Sequence, residues 1–257
     1  MCGRYALLAR TDLMREFLDI LDIEETPARY NIAPTQPILV VVAGERQERG
    51  SNLPERRAML VRWGFMPGWV KDPRDFPLLI NARSETAIEK ASFRAAMRHR
   101  RILVPASGFF EWRRPEDKRE KAQAYFIRPK KGEIVAFAGL METWSSADGS
   151  EVDTGAILTT KANADIARIH DGMPVVIRQE DFSRWLDCKT QEPRDIVDLM
   201  KPIDEGFFEA IPVSDKVNKV ANMGADILEP VEEPAESAPK KTKGGEAPPP
   251  SDQLSLF

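Results

Sequence analysis

Apolar and polar positions alternate over short stretches along most of this chain, and a helical period interrupts them at a few places. Pro37-Ile38-Leu39-Val40-Val41-Val42 reads as a buried strand, and residues 58–65 as a second. Arg101-Ile102-Leu103-Val104 predicts a strand that stops at Pro105, since proline cannot donate to a sheet ladder. Further strands are expected over 109–112, 122–127, 134–140, 154–160 and 207–213. Leu13, Met14, Phe17, Leu18 and Leu21 share one face of a short helix capped by Thr11. Ile88, Phe93 and Met97 predict a helix over 86–98, and shorter ones follow at 164–169, 181–186 and 194–200. Strands outnumber helices and do not alternate with them regularly. The fold class expected is α+β, with a curled, mainly antiparallel sheet.

The pattern fades near Glu229. Six of the twenty prolines lie beyond it, among Lys, Glu, Ser and Gly. Residues 229–257 are therefore expected to form a disordered tail after one folded domain over 2–228. The tail nonetheless ends in Gln253-Leu254-Ser255-Leu256-Phe257, whose large apolar side chains suit a partner's pocket.

Composition narrows the function classes. The 257 residues are 42% hydrophobic, enough for a sizeable core. No run of about 18 apolar residues predicts a membrane span, and no basic start followed by an apolar run predicts a secretory signal. Cys2 and Cys188 are the only cysteines, which fits a reducing cytosol, and Cys188 is expected to be structural. The net charge of −4 is uneven: the tail holds −3, while residues 91–121 carry nine Arg or Lys against four Asp or Glu. Such a patch could guide a phosphate backbone or simply be a solvated face.

Cysteine at position 2 is small enough for Met1 to be removed in front of it. The new terminus would carry an α-amine and a thiol on adjacent carbons. This 1,2-aminothiol condenses with an aldehyde to a Schiff base, and the thiol then closes a five-membered thiazolidine. The α-amine titrates at about 7.7–8.0, so part of it is nucleophilic at cellular pH. The site would need positioning and proton transfer, but no metal or organic cofactor. Glu111, among Phe109, Phe110 and Trp112, has surroundings that raise a carboxyl pKa. His170 can move protons near neutral pH. Asn81, Arg83 and Ser84 put an amide, a guanidinium and a hydroxyl at a helix entry.

Seven segments occur in order: 1–5 (MCGRY), 30–36 (YNIAPTQ), 62–65 (RWGF), 81–86 (NARSET), 105–112 (PASGFFEW), 138–140 (AGL) and 170–174 (HDGMP). Over roughly residues 2–225 the chain resembles the SOS-response-associated peptidase (SRAP) family, the abasic-site crosslinking proteins. The resemblance implies a single domain with a barrel-like core flanked by short helices, acting as a monomer on single-stranded DNA. It implies that Cys2 captures the aldehyde of an abasic site, with possible Schiff-base lyase activity. Asn81 would hydrogen-bond the amine or ring nitrogen, Glu111 would assist proton transfer, and His170 would act at the Schiff base. Arg4, Arg83, Ser84 and Arg168 would meet the DNA, and Pro34, Trp63 and Trp112 would stack or splay bases. One departure stands out: the family pattern His-x-Arg-Met-Pro has Gly172 at the arginine position, which Arg168 could cover.

The resemblance also implies a cytoplasmic place near replication forks. Gln253, Leu254, Ser255, Leu256 and Phe257 resemble the pentapeptide that binds the bacterial sliding clamp. Two rival readings stay open: a cysteine peptidase with Cys2 as nucleophile and His170 as base, including autocatalytic loss of Met1, and a non-catalytic, clamp-bound DNA adaptor.

Overall fold

A computed structural model describes residues 2–20, 23–45, 54–115 and 121–232. In chain order the first elements are β1 (Tyr5–Leu7), α1 (Thr11–Leu18), β2 (Arg29–Ile32), β3 (Pro37–Ala43), β4 (Arg56–Trp63) and β5 (Asn81–Arg83). Next come α2 (Ser84–Ala87), α3 (Arg94–His99), β6 (Arg101–Ala106), β7 (Gly108–Arg113), β8 (Gln123–Pro129), β9 (Val135–Ser145) and β10 (Glu151–Lys161). The chain continues with α4 (Ala164–Ala167), β11 (Gly172–Pro174), β12 (Val176–Ile177), α5 (Phe182–Leu186) and β13 (Phe208–Val213).

Strands β10, β4, β3, β6 and β9 close into a barrel, because β9 also pairs with β10. Every pairing in the ring is antiparallel except β4 with β10. A second, wholly antiparallel sheet runs β13-β8-β7-β1-β2. The architecture is the α+β, barrel-like fold expected. Ser107 alone separates β6 from β7, so the chain passes from barrel to sheet at one corner. Its N–H donates to Ala6 O at 2.7 Å, and its Oγ accepts from Leu8 N at 3.0 Å. Gly108 follows because a Cβ there would lie 2.6 Å from Ile127 O and from the Phe126 ring.

Side-chain alternation explains how the second sheet is buried on both faces. Tyr5, Phe109, Tyr125 and Ile127 join the large core shared with the barrel. Ala6, Phe110, Ala124 and Phe126 form a smaller core on the other face. That outer core is covered by Val217 and Ile227 from 3-10 turns at Asp215–Asn218 and Ala225–Leu228. Glu111 is two residues from Phe109, so the pleat turns it to the inner face. Arg4 and Trp112 fall on the outer face with Ala6 and Phe110.

Several local expectations change. The helix over 86–98 divides into α2 and α3, since Ile88 and Phe93 are five residues apart and Phe93 is anchored against Phe65 with ring centroids 5.2 Å apart. Strand β6 continues through Pro105, which still pairs with Ala136. Its missing N–H falls beyond Val41↔Leu103, the position where β3 pairs with β6. Thr11 does not cap α1: it is the first helical residue, and its Oγ1 accepts from Thr26 N. The segment 194–200 is a 3-10 stretch over Pro193–Met200 rather than an α-helix. At the C-terminal side Pro230 still bridges Val213, and Val231 N donates to Pro212 O. The expected tail beyond residue 232, with Gln253–Phe257, lies outside the described residues, as does Met1.

Candidate active site at the N-terminal cysteine

The site is assembled by short strands held by longer ones. β1 pairs with β7 through Tyr5↔Phe109 and Ala6↔Gly108, and Phe110 N donates to Arg4 O at 2.9 Å. Continued two residues, this antiparallel register brings Gly3 beside Glu111. β5 is held in parallel by β10 through Ile157↔Asn81 and Thr159↔Arg83. β11 pairs with the end of β10 through Lys161↔Gly172, which sets the turn carrying His170. Thus β7 and β10 bring Cys2, Glu111, Asn81 and His170 together from four distant parts of the sequence.

Cys2 is fully buried. Its carbonyl accepts from Asn81 Nδ2 at 2.8 Å, and its Sγ lies 3.9 Å from Arg4 O. The other end of the amide, Asn81 Oδ1, is buried with no partner among the described residues. A buried acceptor without a donor is costly, and an N–H on the Cys2 nitrogen or on a product ring would satisfy it. Glu111 is 4% exposed, and its Oε2 lies 4.0 Å from His170 Nε2. His170 Nδ1 accepts from Gly172 N at 3.0 Å and lies 3.0 Å from Asp171 Oδ1. Gly172 O also lies 3.2 Å from Nδ1, so that nitrogen sits between donor and acceptor groups of its own turn while Nε2 faces Glu111.

Burial sets the electrostatics. It pushes the Glu111 carboxyl above its ordinary range, opposed by the positive chain terminus and then by His170. Burial, and after it the Glu111 charge, pushes the Cys2 thiol upward, so the sulfur is held as a thiol rather than a thiolate. Among the described residues no three His, Cys, Asp or Glu side chains converge as a metal site.

A model of the family described as SOS response associated peptidase (SRAP) matches residues 1–220. The chain belongs to the SRAP family. It is 37% identical to abasic site processing protein YoqW of Bacillus subtilis, over 89% of this chain and 99% of the relative. It is 32% identical to abasic site processing protein YedK of Escherichia coli, over 90% and 100%. Identity to abasic site processing protein HMCES of Rattus norvegicus is 28%, over 93% and 79%. The crystal structure of a protein from Bacteroides thetaiotaomicron shares the fold with a TM-score of 0.71 at 24% identity, covering 90% of this chain and all of that one.

The DNA-facing residues expected of this SRAP chain fall into two groups. Arg83 is exposed at the start of α2, with Thr86, Glu89 and Lys90 beside it, whereas Ser84 is buried. Pro34 sits in a turn whose Thr35 has φ +73°, a strained value for a β-branched residue. The exposed Arg168 lies over the Tyr125 ring at 5.6 Å, and Tyr125 pairs with Glu111. Arg4 is committed inward: Nη1 donates to Asn31 Oδ1 at 2.7 Å and to Val217 O at 2.8 Å. Its guanidinium also lies 6.0 Å from the centroid of the half-buried Trp112 ring, whose Nε1 donates to Asn218 Oδ1.

Trp63 requires correction as a stacking surface. Its ring is 0% exposed and meets Tyr5 edge to face at 5.4 Å, leaving no face for a base. Its Nε1 donates to Ile80 O at 2.9 Å, next to Asn81. Its backbone exchanges hydrogen bonds with the Pro34 turn, from Thr35 N at 2.7 Å and to Gln36 O at 2.9 Å. Trp63 thus aligns β1, the Pro34 turn and Asn81 from beneath. The exposed aromatic of this region is Trp69, 60% exposed and edge to face with Phe76 in the loop between β4 and β5. Sequence reading passed over it, although its Pro67-Gly68-Trp69-Val70-Lys71-Asp72 setting is polar and irregular and marks a surface loop.

Proposed function

We propose that this SRAP chain processes abasic sites in single-stranded DNA by capturing their aldehyde on Cys2 after loss of Met1. The observation that carries the reading is the Asn81–Cys2 contact, which fixes the cysteine backbone under an unsatisfied acceptor, with the β1–β7 register bringing Glu111 beside Gly3.

The Cys2 amine adds to C1′ of the ring-opened deoxyribose, and loss of water gives a Schiff base. The thiol then adds across the C=N bond: sulfur bonds to C1′, and the nitrogen gains a proton. The product is a thiazolidine whose N–H suits Asn81 Oδ1. Glu111, kept protonated to higher pH by burial, supplies the proton that expels water and can take the one sulfur releases. His170 relays it through Nε2. Holding the aldehyde beside the amine raises its effective concentration, which is worth several kcal/mol. Elimination from the same Schiff base would constitute lyase activity. The raised thiol favours this amine-first route over a peptidase, whose nucleophile must be a thiolate.

Arg83 and Arg168 are suited to backbone phosphates, and Pro34, Trp69 and the open side of Trp112 to bases. Arg4 positions the N-terminal segment by tying it to the turn at Val217. The pentapeptide Gln253–Phe257 would tether the domain to a sliding clamp. The test is a denaturing gel of the purified protein with single-stranded DNA carrying one abasic site. A covalent band with the natural protein that is lost in Cys2→Ala is the expected result, and no band with the natural protein would contradict the proposal.

A further inference from the structure

A cavity of about 950 Å³ opens where β3 ends, β4 begins, and the ends of α3 and α5 meet. It is remote from Cys2. Arg56 lines it at one end of β4, while Trp63 packs on Tyr5 at the other, and seven strand steps span roughly 23 Å.

Two buried guanidinium groups face this region. Arg101 is 2% exposed and donates to the carbonyls of Met97, Trp185, Asp187 and Gln191. Arg56 is 9% exposed and donates to Leu18 O and Ser183 Oγ. Its carboxylate neighbours, Asp19 and Glu55, come no nearer than 3.8 Å, and its Nε is buried with no partner among the described residues. The direct hydrogen bonds of both guanidiniums thus go to neutral carbonyls and a hydroxyl, with carboxylates only at longer range. Burial pulls the Arg101 guanidinium below its ordinary value, against the opposing pull of Cys188, Asp187 and Glu192.

The rim adds more positive charge. Arg57, His99 and Lys189 are exposed, and among the described residues no carboxylate pairs with them. The acids on the rim are otherwise engaged. Glu55 Oε1 accepts from Ser183 Oγ, and Asp187 Oδ1 accepts from the N–H groups of Lys189 and Thr190. Arg100 is paired with Glu142. The cavity thus collects His99, Arg100 and Arg101 from the basic run at 91–121, which the Cys2 site leaves largely unused.

We propose that this cavity is a second anion site that takes a phosphate group. The phosphate belongs either to the backbone of a strand passing beyond the Cys2 site or to a free nucleotide. Buried guanidiniums give the floor a fixed positive field, and the Arg57 and Lys189 cations, with the His99 ring beside them, can close on the oxygens.

The two histidines permit a direct test, because His99 lies on this rim and His170 reports separately on the Cys2 site. Inorganic phosphate is titrated at fixed pH into the full chain while the ring resonances are followed by NMR. A saturable shift of His99, lost in the Arg57→Ala/Lys189→Ala double variant with its Tm kept, is expected. Binding of short and long single strands is then measured against salt in a Cys2→Ala background. If the double substitution lowers the salt slope by about 1.4 for the long strand only, the phosphate is that of the backbone, as two lost single-strand contacts require. An unchanged slope together with the saturable His99 shift assigns the site to a free phosphate compound. No saturable shift at His99 and unchanged long-strand binding overturn the proposal. A failed crosslinking gel leaves these readouts intact, so the two proposals fail separately.

Discussion

Trp63 and Trp69 are six residues apart and do opposite work. Trp63 is a buried strut under Asn81 and the Pro34 turn, so Trp63→Ala is expected to cost about 3–5 kcal/mol of stability in denaturant unfolding. Trp69 is exposed, so Trp69→Ala is expected to leave stability unchanged and to weaken single-strand binding by about 1–3 kcal/mol in an anisotropy titration. Glu111 makes the complementary case for a group whose function opposes stability. Burial raises its folded pKa above the unfolded value, so its contribution to stability is complete below the unfolded pKa and is lost as pH rises through the folded one. Glu111→Gln removes that loss. The variant is expected to have a higher Tm than the natural chain at neutral pH, with the gap closing toward acid, while crosslinking slows by about 10²-fold or more. Equal Tm values across the pH range would show that the carboxyl is not strained by its burial.

At the scale of elements, the site rests on strands too short to be seen in the sequence. β1, β5 and β11 have three residues each, and no alternation can be read from three positions. They exist because β7 and β10 offer ladder partners distant in sequence. The long strands β3, β9 and β10 were legible, since their apolar runs are bounded by polar turns. The chemistry-bearing residues were legible through motif order, whereas the burial of Trp63 was not: a strand position does not say which face the barrel will close over. Gly172 offers a test of β11. A Cβ there would lie 3.3 Å from Thr160 O and 3.9 Å from His170 Nδ1, so a side chain needs only a small adjustment. Gly172→Arg is expected to tighten single-strand binding and steepen its salt slope by about 0.7, the value of one added phosphate contact. An unchanged slope would mean that position 172 does not face the DNA.

At the scale of the molecule, a closed barrel carries a second sheet buried on both faces, and the N-terminal segment is tied to the 217–222 turn over the outer core. Asn31 is the knot: its Oδ1 accepts from Arg4, and its Nδ2 donates to the carbonyls of Val217, Lys219 and Asn222. Asn31→Ala leaves these buried groups unsatisfied and is expected to cost roughly 1–3 kcal/mol in denaturant unfolding. Crosslinking should fall with it, as Arg4 loses its tie to the turn over the outer core. Deleting Gln253–Phe257 should abolish clamp pull-down while crosslinking by the folded domain stays intact.

The central claim is that both the amine and the thiol of Cys2 react. The most direct measurement is the crosslink yield of natural protein and Cys2→Ser on abasic single-stranded DNA, each with and without borohydride, with the N-terminal peptide identified by mass. The account predicts that the natural protein gives a stable adduct without reductant, on a peptide beginning at Cys2. It predicts that Cys2→Ser gives an adduct only when borohydride traps the Schiff base. An adduct on a peptide that retains Met1, or an equally stable unreduced adduct from Cys2→Ser, would contradict it.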